Sequence, residues 1–186
     1  WVAEYDALKG LQRLGHQVDV LGIDEEISPL IDRIKRDRPD IVFNMLEQFN
    51  NDPAMDYHIV TLLELHGLVY TGCNPKGLLL GRDKALSKKI LSYHGISTPK
   101  FFTLDSNEAY KAPKKMSYPL IVKCAFEEAS YGLAKASVVN NEEKLKERIS
   151  YIQEELGQSV IVEEFIIGRE IYVGVLGNKK LKTLVP

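Results

Sequence analysis

"PLIVKCAFEEASYGLAKASVV" (residues 119–139) opens as an apolar run of strand length, closes that run on Lys123, and passes through two glutamates into small residues. The run predicts a strand at 119–123. An unpaired ammonium beside an apolar strand is costly, so Lys123 must reach water, a carboxylate or an anionic ligand. In the loop that follows, Ala125, Ala129, Ser130 and Gly132 let backbone amides come close to a phosphate, although the spacing is not that of a P-loop. Taken alone, the lysine fits a snorkelling side chain at a strand end equally well.

Downstream, the pattern predicts a strand near 132–139, a helix over 141–156, a strand at 159–164, and two more at about 170–177 and 180–185. Leu145, Ile149, Ile152 and Leu156 fall on one helical face, with Asn140 or Asn141 as cap, which leaves the many charges as a solvated outer face. These elements form a strand-strand-helix-strand module, too small for a strong core of its own and expected to act as a lid carried on a larger body.

Upstream, a helix near 83–94 ends at Gly95, and a strand is entered through Thr98-Pro99. The stretch 105–118 reads as a short helix plus connection. The first part alternates: a helix over 1–14 (Val2, Tyr5, Leu8, Leu11 and Leu14 at helical spacing), a strand in "QVDVLGI", a helix near 28–36, a strand at 40–44, a helix near 53–66 and a strand at 67–72. Such alternation predicts an α/β fold with a parallel sheet flanked by helices. A first strand normally precedes the first helix, so the chain is expected to lack its true start.

Composition narrows the function. Lys and Arg number 24 against 26 acidic residues, a formal charge of −2, which gives no electrostatic case for nucleic acid or an anionic membrane. No apolar run reaches membrane-spanning length and no signal-peptide pattern opens the chain, so a cytoplasmic protein is expected. Cys73 and Cys124 stand far apart without metal-ligand spacing and read as small buried or half-buried residues.

Two further stretches carry chemistry. In "GRDKALSKK", Lys84 lies in the first turn of a helix, where the macrodipole disfavours a lysine and favours an anion. A ligand phosphate would relieve both; taken alone, Lys84 reads more simply as an exposed helix lysine among Arg82, Lys88 and Lys89. In "VIVEEFIIGREIYVGVLG" (160–177), Glu163, Glu164, Phe165, Ile166 and Glu170 supply carboxylates and apolar faces in a compact hinge. Adenine and ribose call for those groups: an acceptor for the amino edge, apolar contact for the ring, a carboxylate for the hydroxyls.

The ordered set "FNMLE" (43–47), "LLELHGLVYTGCNP" (62–75), "RDKALSKKIL" (82–91), "GISTPKF" (95–101), "YPLIVK" (118–123) and "VIVEEFIIGREIYVGVLG" resembles the ATP-grasp superfamily, in its D-alanyl-D-alanine ligase-like branch. The resemblance implies a Rossmann-like parallel-sheet domain over 1–82 and a truncated ATP-grasp domain over 83–186, with a small α+β lid at about 118–166. It implies that Lys84 and Lys123 contact the phosphates of ATP and that the lid loop with Glu127, Ser130 and Gly132 closes over them. Glu163, with the backbone of Glu164 and Ile166, would hold the adenine edge, Phe165 would pack near the base, and Glu170 would bind ribose. The implied activity is ATP-dependent ligation of a carboxylate to an amine through an acyl phosphate. Its implied partners are small molecules, amino acids among the candidates, with a homodimer as the candidate assembly. Mg2+ is the implied metal. Its ligands, like most catalytic residues, are expected outside this sequence, since no Asp or Glu follows Glu170, and the chain alone is expected to be inactive. The alternative is an ATP-grasp-like binding or regulatory module without ligase activity.

The sequence also departs from that branch. Its ligases usually carry His-Gly after the "FN" strand, where this chain has Glu47-Gln48, and a lid loop Glu-Gly-Ser-Ser-Val-Gly, where this chain has "EEASYG" with Ala129 at the first serine. Substrate identity is what these changes touch.

Overall fold

The strand predicted at 119–123 is found one residue on, as the second strand of an antiparallel sheet in a computed structural model that describes residues 2–111, 116–127 and 131–185. Four strands make the sheet: β1 (Phe101–Leu104), β2 (Leu120–Cys124), β3 (Val138–Val139) and β4 (Val160–Glu164), in the order β1-β4-β2-β3. Register fixes its two faces. Ile121 lies opposite Glu163 and Lys123 opposite Ile161, while Phe101 and Thr103 of β1 meet Glu163 and Ile161 from the other side. Side chains alternate along a strand, so these six share one face and Leu120, Val122, Cys124, Val160 and Val162 share the other.

The second face is the core. Helix α6 (Glu142–Ser150) lays Leu145 and Ile149 on it, and a π turn (Tyr151–Glu155) adds Ile152. Asn141 caps the helix by accepting from Lys144 N at 2.9 Å, with Glu142 and Glu143 in the first turn as the macrodipole favours. The sequence predicts one helix to 156; the widened turn ends it earlier and leaves Leu156 packed at the core's margin.

The first part holds a second core of Leu30, Ile34, Ile59, Leu63 and Leu68. These come from α2 (Ser28–Arg36), α3 (Asp56–Leu65) and the segment after α3. Between its expected strands, the parallel pairing among the described residues is a single bridge, Val42 to Tyr70. The strand expected in "QVDVLGI" does not form: Val20 and Leu21 are exposed, and no described neighbour pairs with the backbone groups of this apolar alternation. Helix α1 (Val2–Arg13) buries no residue.

Helix α4 (Pro75–Arg82) is an element the sequence reading did not anticipate. Asn74 accepts from Gly77 N at 2.8 Å and Pro75 fills the first turn, a start signal of ordinary kind. Asp83 then ends α4 and caps α5 (Lys84–Tyr93), accepting from Leu86 N at 2.8 Å. The helix expected within 105–118 is absent from 105–111, which forms turns, and its remainder includes residues outside the description. The strands expected near 170–177 and 180–185 shrink to the pairs β5 (Val175–Leu176) and β6 (Lys182–Thr183). Among the described residues no helix is long and apolar enough to cross a membrane.

Candidate functional site

On the sheet face turned away from α6, Glu163 is a buried carboxylate, with only 6% of its side chain exposed. Lys123 Nζ lies 3.2 Å from its Oε2, reached diagonally from the neighbouring strand. Lys88 Nζ, from α5, lies 3.4 Å from the same oxygen. The question posed by a lysine closing an apolar strand is thus answered within the chain: Lys123 faces a carboxylate.

Lys84, first residue of α5, donates to the Glu127 carbonyl oxygen. Arg82, at the end of α4, reaches the preceding carbonyl of Phe126 at 3.5 Å and pairs with Asp56 at 2.5 Å. Two cations from the α4–α5 junction therefore hold consecutive carbonyls where the loop leaves β2. Where it returns, Gly132 has φ of +68°, and a Cβ there would stand 2.9 Å from Leu156 Cδ1 and 3.3 Å from Cys124 Sγ. Arg148 donates to the Gly132 carbonyl and lies over the Tyr151 ring, 4.6 Å from its centroid. Ser130 is outside the described residues.

The hinge residues part company. Glu164 points to the face opposite Glu163 and meets Ser117 N at 3.3 Å and Lys100 Nζ at 3.5 Å. Its own N–H serves the Lys100 carbonyl, and Phe165 N–H serves that of Pro119. Ile166 lies beyond the strand and is exposed, and Glu170 forms no ion pair among the described residues. The structure therefore joins Lys123 and Glu163 directly and sets Lys84 on the adjoining helix turn, and among the described residues no ion pair links Glu170 to them.

In the sequence Lys88 stands only as one of the cations around Lys84. The signal that identifies it is spacing: it follows Lys84 by one helical turn and so shares its face. Cys124 ends β2 on the core side, and burial, with Glu127 adding to it, pushes its thiol up, away from reactivity. No group of three or more His, Cys, Asp or Glu side chains among the described residues could hold a metal ion.

A cationic rim over a buried carboxylate can take a ligand that is anionic at one end and a hydrogen-bond donor at the other. Comparison with known proteins identifies the family. A family profile described as "D-ala D-ala ligase C-terminus" matches residues 89–186, just over half of the chain. The chain belongs to this family. A D-alanine–D-alanine ligase of Pelotomaculum thermopropionicum is 32% identical over 188 residues, covering 96% of this chain and 55% of that protein. Among solved structures, the D-alanine–D-alanine ligase of Bacillus anthracis complexed with ATP aligns with a TM-score of 0.60 at 27% identity, over 77% of this chain and 44% of that one. The VanG D-Ala:D-Ser ligase of Enterococcus faecalis aligns at 0.61 and 28%, over 77% and 41%. The fold is thus a mixed α/β arrangement like that of these ligases. The chain spans about half the length of the curated relatives it matches.

Proposed function

We propose that this chain carries the nucleotide-binding part of an ATP-dependent carboxylate–amine ligase. The observation that carries the reading is the cluster of Lys123 and Lys88 on Glu163, with Lys84 one turn away on α5. Lys84 and Lys123 would take the phosphates, Glu163 the amino edge of the adenine, and Phe165 the ring. Glu164 and Ile166 would add backbone contacts, Glu170 the ribose, and the loop with Glu127, Ser130 and Gly132 would cover the phosphates. Residues 1–82 are proposed as the Rossmann-like substrate domain and 83–186 as the ATP-grasp part, with its lid at about 118–166.

In the reaction, a carboxylate oxygen attacks the terminal phosphorus and ADP departs, giving an acyl phosphate. An amine then attacks the acyl carbon, loses a proton and expels inorganic phosphate. Lysine ammonium groups offset the charge that collects on the phosphoryl oxygens, and a covered site keeps water from the acyl phosphate. Magnesium supplies charge neutralisation in such chemistry. No carboxylate cluster among the described residues fits it.

Calorimetry with ATP on the full-length protein tests the nucleotide assignment. Phosphate release measured against a panel of amino acids tests the ligase assignment. Absence of ATP binding overturns both.

A further inference from the structure

Lys88 and Lys123 converge on one oxygen of Glu163, at 3.4 and 3.2 Å, and neither ion pair uses Oε1. The three side chains are 16%, 26% and 6% exposed, so the carboxylate is the most buried and Lys88 the more buried of its two cations. Burying a carboxylate to this degree carries a desolvation cost that opposite charge offsets, and two cations are provided. Held by Oε2, it presents Oε1 as a fixed acceptor.

The two lysines are not equivalent. Lys123 is the last residue but one of β2, next to the loop that starts at Ala125, and an anion arriving there competes with Glu163 for its ammonium. Lys88 sits a full helical turn inside α5, with its stem packed and its head on the carboxylate. When Lys123 turns to an anion, Lys88 is the cation that stays with Glu163.

We infer that Lys88 is a positioning residue for base selection: by keeping hold of Glu163 Oε2 it leaves Oε1 aimed at the ligand, and so favours a purine with a 6-amino group over one with a 6-carbonyl. The inference rests on the proposed placement of the base at Glu163. A 6-amino group donates to the carboxylate. A 6-carbonyl sets a second acceptor against it, and a buried acceptor facing another acceptor is penalised. Without Lys88 the carboxylate is free to rotate toward Lys123, and it loses the fixed direction on which discrimination depends.

The experiment is calorimetric titration of the full-length protein with ATP and with inosine triphosphate. It compares wild type, Lys88→Met, Lys88→Arg and, as a control for charge alone, Lys89→Met, whose side chain is exposed one position along. The wild type is expected to prefer ATP. Lys88→Met is expected to lose about tenfold of that preference, the size of one charge-assisted contact. Lys88→Arg should restore most of it and Lys89→Met should leave it unchanged. A folded Lys88→Met protein with the wild-type ratio, or an equal loss in Lys89→Met, overturns the inference while leaving nucleotide binding intact. Failure of the wild type to bind either triphosphate removes the proposed function, and this inference with it. If Lys88→Met does not melt cooperatively, Lys88→Gln carries the same comparison.

Discussion

Arg82 Nη2 and Asp56 Oδ2 stand 2.5 Å apart in a buried ion pair, the carboxylate in the first turn of α3 and the guanidinium in the last residue of α4. Asp56 Oδ1 and Arg82 Nε have no hydrogen-bond partner, so the pair is incompletely satisfied. Removing one partner from such a pair strands the other, at a cost of about 3–5 kcal/mol. Asp56→Ala is expected to destabilise by that order in urea unfolding, and Asp56→Leu combined with Arg82→Met to recover most of the loss. A single mutant as stable as wild type would mean the pair is already hydrated.

Lys123→Ala is expected to weaken ATP binding about ten- to hundredfold, the range of a charge-assisted contact of about 1.5–3 kcal/mol. Calorimetry on the full-length protein reads it directly. Equal affinities for mutant and wild type would take Lys123 out of the nucleotide site and leave it as a counter-ion to Glu163.

Gly132→Ala puts a methyl group 2.9 Å from Leu156 Cδ1 on a backbone with φ of +68°. Left-handed backbone and overpacking each disfavour it, so a loss of about 1–3 kcal/mol is expected. Thermal melts of Gly132→Ala with and without Leu156→Ala separate the two causes: relief by the second substitution assigns the cost to packing, and no relief assigns it to the backbone.

Tyr70 donates to Glu64 Oε1 at 2.6 Å, and burial, followed by that carboxylate, pushes its phenol up to about 12. The proton is held more tightly in the folded state. The stabilisation is therefore complete below the ordinary tyrosine value near 10 and lost as pH rises through 12. The difference in melting between wild type and Tyr70→Phe should stay level to about pH 9 and shrink above 10. A difference that changes between pH 6 and 9 would contradict the assignment.

Glu47 and Gln48 are both exposed, just before the turn at Phe49–Asp52. They occupy the place where the related ligases are expected to carry His-Gly. A carboxylate there disfavours a second carboxylate, so the full-length protein is expected to prefer an acceptor other than D-alanine. Exclusive turnover of D-alanine in a phosphate-release assay would refute this.

The sheet and its helix were legible because two periodicities agree. The apolar run at 119–123 and that at 159–164 are the paired central strands, and Leu145, Ile149 and Ile152 recur at helical spacing to cover them. Helix α4 was harder to see. "GLLLG" is a short apolar run between glycines that periodicity alone cannot assign, and only Asn74-Pro75 marks it as a helix start. "QVDVLGI" reads as a strand by composition, but a strand is a property of pairs, and no described neighbour pairs with it. Lys123 and Glu163 were legible as ligand-seeking residues from their positions at strand ends. That they seek each other was not, because adjacency of β2 and β4 depends on a reversal across the whole of α6. Lys88 was hidden by its company, one cation among several on a polar helix.

Asp83 closes α4 with its backbone and opens α5 with its side chain, leaving no linker between the two helices. A joint made of one residue has almost no slack: swinging α5 against α4 breaks the Asp83 cap before it moves anything else. The angle at this elbow is therefore inherited from α3, to which α4 is clamped through Arg82. The positions of Lys84 and Lys88 on α5 thus depend on the Arg82–Asp56 pair, and drift in the first core would be felt as misalignment at the far end of the lever.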